Sequence, residues 1–426
     1  MTNITDQQAS TNQTVIPFYA TAALFFLGMS LMLFTASEEL TGHHFTPSIL
    51  AIVHTLVLGW ATMLIFGAVY QLLPVLCEGE LYSPKIAFAS YILLLTGTIP
   101  LVFCFWNFQM GLLMILSGCA VVLAACLYMF NCCATVLKAP KSTIYQYFII
   151  GSAIWLFLTT IAGLLLAINL TYTFIPRNHL ELLKLHAHAG IVGWFLLLIC
   201  GVTAKLVPMF LLGRCKTTRL LYIALILQNT GLFLFLVHGY FRHIDTLALG
   251  YGGIILLGTL FWGVFIYIAI KNRIRRKIDV LMKQSIISLL IQPIAIIALT
   301  IALFSTGNTW INIYGVFVFL GWITGLIISK TFKTLPFIVW NSLYKDIHGN
   351  ARIPLPKNLY SEDLIRYQTL LFFTALLVLA AALIINQVWL LKTATFLWIL
   401  LALLYCYNVA KVLFHKPQIH HEDRTQ

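Results

Sequence analysis

A chain of 426 residues that is 61% hydrophobic and only 9% charged has too little polar surface for a water-soluble globule, so most of it belongs in lipid. Its net charge of +13 is spread over several connections on one face, which removes any need for a nucleic-acid partner. Nine cysteines include no CxxC pair and mostly fall inside apolar runs, which argues against a disulfide framework or a thiolate metal site.

A helix rising about 1.5 Å per residue crosses the bilayer core in roughly 20 residues. Apolar runs of that length recur along the chain and predict helices at 15–36, 48–76, 86–106, 111–137, 145–170, 181–212, 218–240, 246–270, 285–304, 310–341, 369–387 and 394–414. The runs are continuous rather than alternating, which excludes a membrane barrel. The segment before Val15 has no basic residue and does not read as a signal peptide.

Basic residues follow the even-numbered helices: Lys85; Lys138 and Lys141; Arg214, Lys216 and Arg219; a run from Lys271 to Lys283; then Lys345, Arg352, Lys357 and Arg366. The opposite side has only Arg177, Lys184, Arg242 and Lys392. The positive-inside rule therefore predicts cytoplasmic termini, in a multi-pass protein of a bacterial-type inner membrane. The 271–283 stretch reads as a solvated loop within reach of anionic lipid. The 342–367 connection reads as a linker, with partner docking as the alternative.

One pattern is written three times. Gly59-Trp60, Gly193-Trp194 and Gly321-Trp322 are each followed by a proline 14 residues after the Trp, at Pro74, Pro208 and Pro336. Halfway stand Gly67, Gly201 and Ser329. The copies fall on predicted helices 2, 6 and 10, so twelve helices divide into three units of four. The expectation is an all-α integral membrane protein, one membrane domain over 1–426. It comprises about 12 transmembrane helices in three pseudo-threefold four-helix units, approximately 15–137, 145–270 and 285–414. The glycines read first as packing positions where helices approach closely.

Two copies carry a histidine five residues before the glycine, His54 and His188, and the third has Val316. A lone membrane histidine is usually a hydrogen-bonded packing residue. Recurrence at a matched position shifts the reading toward a metal or haem ligand. His186 stands two residues before His188, about 200° away around a regular helix, so the pair addresses two sides of that helix. The plainer alternative for His186 is a wet residue at the membrane boundary. His238 and His243 are further donors on the same outer face; His43, His44 and His179 read as exposed, and His348, His415, His420 and His421 as cytoplasmic. Lys205 reads as snorkelling to the inner face, with Gln71 and Lys333 at matching places. Gln228-Asn229 either line a pocket or bond across helices.

The run from His186 through His188 to Gly193-Trp194 resembles the HxH-x4-GW helix of the haem-copper oxidase catalytic subunit, especially its cbb-type and nitric-oxide-reductase branches. Twelve helices in three four-helix arcs resemble that family's architecture, of which this chain would be a short, divergent member. The resemblance implies at least one haem b, with His54 and His188 as axial ligands of a low-spin haem. It implies His186 as a ligand to a second haem, and His238 as a copper or iron ligand. It also implies a cytochrome or cupredoxin electron donor, or another membrane subunit. The family places its paired histidines on helix 10, where this chain has Tyr314 and Val316. The leading expectation is therefore a haem-binding protein of electron transfer or of nitric oxide and oxygen handling. The alternatives are a terminal oxidase or nitric-oxide reductase with a binuclear metal site, and a 12-helix transporter.

Overall fold

The computed structural model describes the backbone of residues 4–242, 244–345 and 353–417, with side chains from residue 14 onward. Among these residues there is no strand, and twelve helices are long and apolar enough to span a membrane. They are α1 (Thr14–Thr35), α2 (Pro47–Leu76), α3 (Pro84–Trp106), α4 (Leu112–Leu137), α5 (Ile144–Thr171), α6 (His179–Leu211), α7 (Arg219–Phe241), α8 (Thr246–Lys271), α9 (Val280–Phe304), α10 (Thr309–Tyr344), α11 (Glu362–Ile385) and α12 (Val388–Leu413). The protein is an all-α, multi-pass membrane protein.

The helices begin where capping chemistry allows. Thr46 accepts the Ile49 N–H ahead of Pro47 at the start of α2, Asp245 accepts the Leu247 and Ala248 N–H groups at α8, and Asp279 accepts that of Met282 at α9. Helices α9, α11 and α12 start earlier than their apolar runs. Their opening residues include Lys283, Glu362 and Asp363, and Lys392, which hydropathy assigns to loops. In α9 and α11 the caps Asp279 and Ser361 start the helix ahead of those residues.

The helices cluster into two units. The first contains α1, α2 as far as Gln71, Phe105–Phe108 and α9–α12; the second contains the end of α2, α3 as far as Cys104, and α4–α8. In the first unit α1 lies against both α2 and α12, and α9 against α10 and α11. In the second, α5 packs between α4 and α6, while α8 packs on α6 and α7.

The motif glycines are contact points. A Cβ on Gly59 would lie 2.3 Å from the Phe25 ring of α1, and one on Gly193 would lie 2.6 Å from Trp155 of α5. On Gly321 it would come within 2.8 Å of Ile291 in α9. Helices α1, α5 and α9 thus fill the space opened by the glycines of α2, α6 and α10. The adjoining tryptophans are buried, and aromatic edges from α4 and α12 seal two of them. Tyr128 of α4 meets Trp194 at 5.7 Å and 85°, and Tyr405 of α12 meets Trp60 at 4.9 Å and 85°.

Three residues beyond each of those tyrosines stands a buried asparagine. Asn131 both accepts the Ser83 N–H at 3.1 Å and donates to the Ser83 carbonyl at 3.0 Å, while Asn408 accepts the Ser361 N–H at 3.1 Å. Thereby α4 clamps the start of α3, and α12 that of α11. Asn131→Ala should strand two backbone groups of Ser83 and cost about 2 kcal/mol, in the range for losing a buried hydrogen-bond partner. A lower unfolding temperature in detergent checks this; an unchanged one would show that Asn131 is not a clamp.

Candidate functional site

The three motif copies share a backbone feature. Thr55–Thr62, Ala189–Leu196 and Val316–Ile323 are each an eight-residue stretch of π-helix, the wide i→i+5 turn that is rare and concentrates at functional sites. His54 and His188 are the last α-helical residues before the first two stretches. The third begins at Val316, the histidine position itself. Side-chain hydroxyls help to satisfy carbonyls at these junctions: Thr55 donates to Ala51 at 2.7 Å and Thr324 to Phe319 at 2.8 Å.

Each candidate histidine presents Nδ1 to a backbone carbonyl. For His54 the partner is Leu50 at 2.7 Å, for His188 it is Lys184 at 2.8 Å, and for His186 it is Thr159 of α5 at 3.1 Å. A carbonyl only accepts, so all three rings carry their proton on Nδ1 and their lone pair on Nε2. That tautomer suits an imidazole that ligates iron through Nε2, with the carbonyl as the outer partner that orients the ring and raises its basicity. The donor chemistry fits a haem. His43 offers a contrast: its Nδ1 accepts the Phe45 N–H at 3.0 Å, which leaves the proton on Nε2.

Packing fixes the rings. His54 stacks on Phe105 with centroids 4.5 Å apart and planes at 29°. His186 lies against Gly163 of α5, where a Cβ would come within 2.9 Å of its Cε1, and His188 has Phe235 of α7 at 5.4 Å. The segment His179–His188 is regular α-helix, so neighbours two residues apart face different helices: His186 meets α5 and His188 meets α7.

His238 is placed differently. Its Nε2 lies 3.1 Å from Asp245 Oδ1, so the atom that would reach a metal is engaged by the cap of α8. Desolvation pushes the Asp245 carboxyl up, but the Ala248 N–H and neighbouring His238 outweigh it and hold the group below the ordinary carboxylate range. Among the described residues, no three His, Cys, Asp or Glu side chains converge as a metal site. His243, His348, His420 and His421 lie outside the described residues.

Four further polar residues of the spans reach neighbouring helices. Asn229 accepts from the Trp155 indole at 2.8 Å, and Gln228 donates to Thr259 at 3.2 Å, so this pair bonds across helices. Lys205 sits 5.6 Å over the Tyr145 ring and Lys333 pairs with Asp279 at 2.9 Å, both reaching the first turn or cap of a neighbouring helix. Tyr314 and Val316 occupy the third-copy positions and supply no imidazole. No residue pattern signals the π turns, nor Gly163, Thr159 and Phe105 as the seats of the histidines. The Tyr-x-x-Asn pair on α4 and α12 could have been found by aligning the fourth helices of the repeats.

No family model matches the chain, and no curated protein matches it in sequence.

Proposed function

We propose that this chain is a haem-binding integral membrane protein of the haem-copper oxidase catalytic-subunit superfamily. It would carry at least one haem b and act in electron transfer or in handling nitric oxide or oxygen. The observation that supports the reading most is the repeated junction. Two histidines at equivalent motif positions each end an α-helical segment, begin a π turn and hold their proton on Nδ1.

His54, His186 and His188 are the residues that would hold haem iron, each through Nε2. The group when bound supplies one-electron redox chemistry and an iron to which a diatomic gas can coordinate. The chain's own contribution is orientation. The Leu50, Lys184 and Thr159 carbonyls fix the tautomers, and Phe105 and Gly163 fix two ring planes. The excess of basic residues in one set of loops supports cytoplasmic termini in a bacterial-type inner membrane, and a cytochrome, a cupredoxin or a further membrane subunit would deliver electrons.

The divergent facing of His186 and His188 favours a second cofactor, and with it the stronger reading of a terminal oxidase or nitric-oxide reductase. That reading requires metal beyond one haem iron and consumption of gas by the reduced protein. The test of the main proposal is the absorption spectrum of full-length protein expressed with ample haem. A Soret band with a haem b redox-difference spectrum is expected, and haem-free, correctly folded protein would overturn it.

A further inference from the structure

The connection after α6 and the connection after α8, both within the second unit, are joined backbone to backbone. The Ile274 N–H donates to the Leu212 carbonyl at 3.3 Å and the Arg275 N–H to that of Leu211 at 3.2 Å. Side chains add to the join, with the Arg275 guanidinium on the Phe210 carbonyl at 3.4 Å and the Asn272 amide on that of Arg214 at 3.3 Å. Leu212 holds a left-handed conformation at φ 51°, unusual for a leucine, with its carbonyl in this join.

The join assembles one sign of charge. Arg214 and Lys216 on one connection and Arg275, Arg276 and Lys277 on the other are all exposed. Between Glu181 and Asp279 the sole acid is Asp245, at the opposite end of α8. Asp279 itself is committed to Lys333 and to the Met282 N–H. Amid the cations two apolar side chains face outward, Leu212 at 57% and Ile274 at 69% exposure. The Arg273 guanidinium donates to the Ile270 carbonyl at 3.0 Å, yet its Nε is buried with no hydrogen-bond partner among the described residues.

Simple repulsion would drive such cations apart, and a solvated loop gains nothing from exposed Leu and Ile. Both features fit one environment, the boundary of a leaflet where acyl chains meet phosphates. We propose that this joined pair of connections is a binding site for anionic phospholipid of the surrounding bilayer. Headgroup phosphates lie among Arg273, Arg275, Arg276 and Lys277, and Leu212 and Ile274 enter the acyl boundary. The site stands independently of haem binding.

The test titrates fluorescent phosphatidylglycerol, and in a parallel arm phosphatidylcholine, into detergent-solubilised full-length protein. Phosphatidylglycerol should bind more tightly than phosphatidylcholine, and Arg275→Gln/Arg276→Gln/Lys277→Gln should weaken it on the order of 100-fold. Lys345→Gln/Lys357→Gln, on another basic connection, should bind as wild type. If the triple variant does not fold, Arg214→Gln/Lys216→Gln replaces it and should weaken binding on the order of tenfold. Equal binding of the two lipids, an equal loss in the Lys345/Lys357 control, or displacement of the lipid by millimolar inorganic phosphate would each overturn the proposal.

Discussion

Purified His188→Ala protein, and separately His54→Ala protein, should retain less than about one-tenth of the wild-type low-spin haem, since even outer-shell changes cost 10–100-fold in metal affinity and these remove the donor atom itself. His238→Ala should retain it in full, because its Nε2 faces Asp245. His186→Ala should keep any low-spin haem bands and lose only features of a second cofactor. Gly163→Ala sharpens the distinction, since the new Cβ would meet the His186 ring at 2.9 Å while leaving every imidazole in the chain. The measurement is haem per protein by pyridine haemochrome, beside the reduced-minus-oxidised spectrum, on monodisperse samples. Unchanged haem content and spectrum in both His54→Ala and His188→Ala would reduce these histidines to packing residues.

The second large effect is on stability. Gly193→Ala places a Cβ 2.6 Å from Cβ and Cγ of Trp155, far inside contact distance. Trp155 cannot swing aside without losing its hydrogen bond to Asn229, 2.8 Å away. Overpacking of this kind costs about 1–3 kcal/mol, and the lost hydrogen bond adds about 1 kcal/mol. Gly263→Ala is the matched control, because nothing stands within 4 Å of its added Cβ and alanine is the better helix former. Thermal unfolding in detergent should therefore show a clear fall for Gly193→Ala and no fall for Gly263→Ala. Equal midpoints would mean that the motif glycine is not a packing constraint.

The extent of the helices was legible because lipid imposes its demand on every residue of a span, and a continuous apolar run records it. The exceptions are instructive: Lys283 and Glu362 belong to helices that the caps Asp279 and Ser361 start, local hydrogen bonding that hydropathy does not measure. His54, His186 and His188 were legible as candidates because ionisable groups stand out against leucine and valine. Their seats were not, since Thr159 acts through a backbone carbonyl and Gly163 through the side chain it lacks. The π turns left no trace either, because Ala189–Leu196 has the same apolar composition as an ordinary helix interior.

Those turns carry a consequence for how the chain can change. A turn wider than 3.6 residues lags in rotation behind an α-helix of the same length, so each acts as a phase shifter within one continuous span. The half bearing the histidine position is set at an angle that the proline-bearing half does not dictate. Residues before the turn can therefore diversify while those after it keep their grip on neighbouring helices. The third copy keeps the turn and the proline at Pro336 while carrying Tyr314 and Val316 at the histidine positions and Ser329 in place of the later glycine.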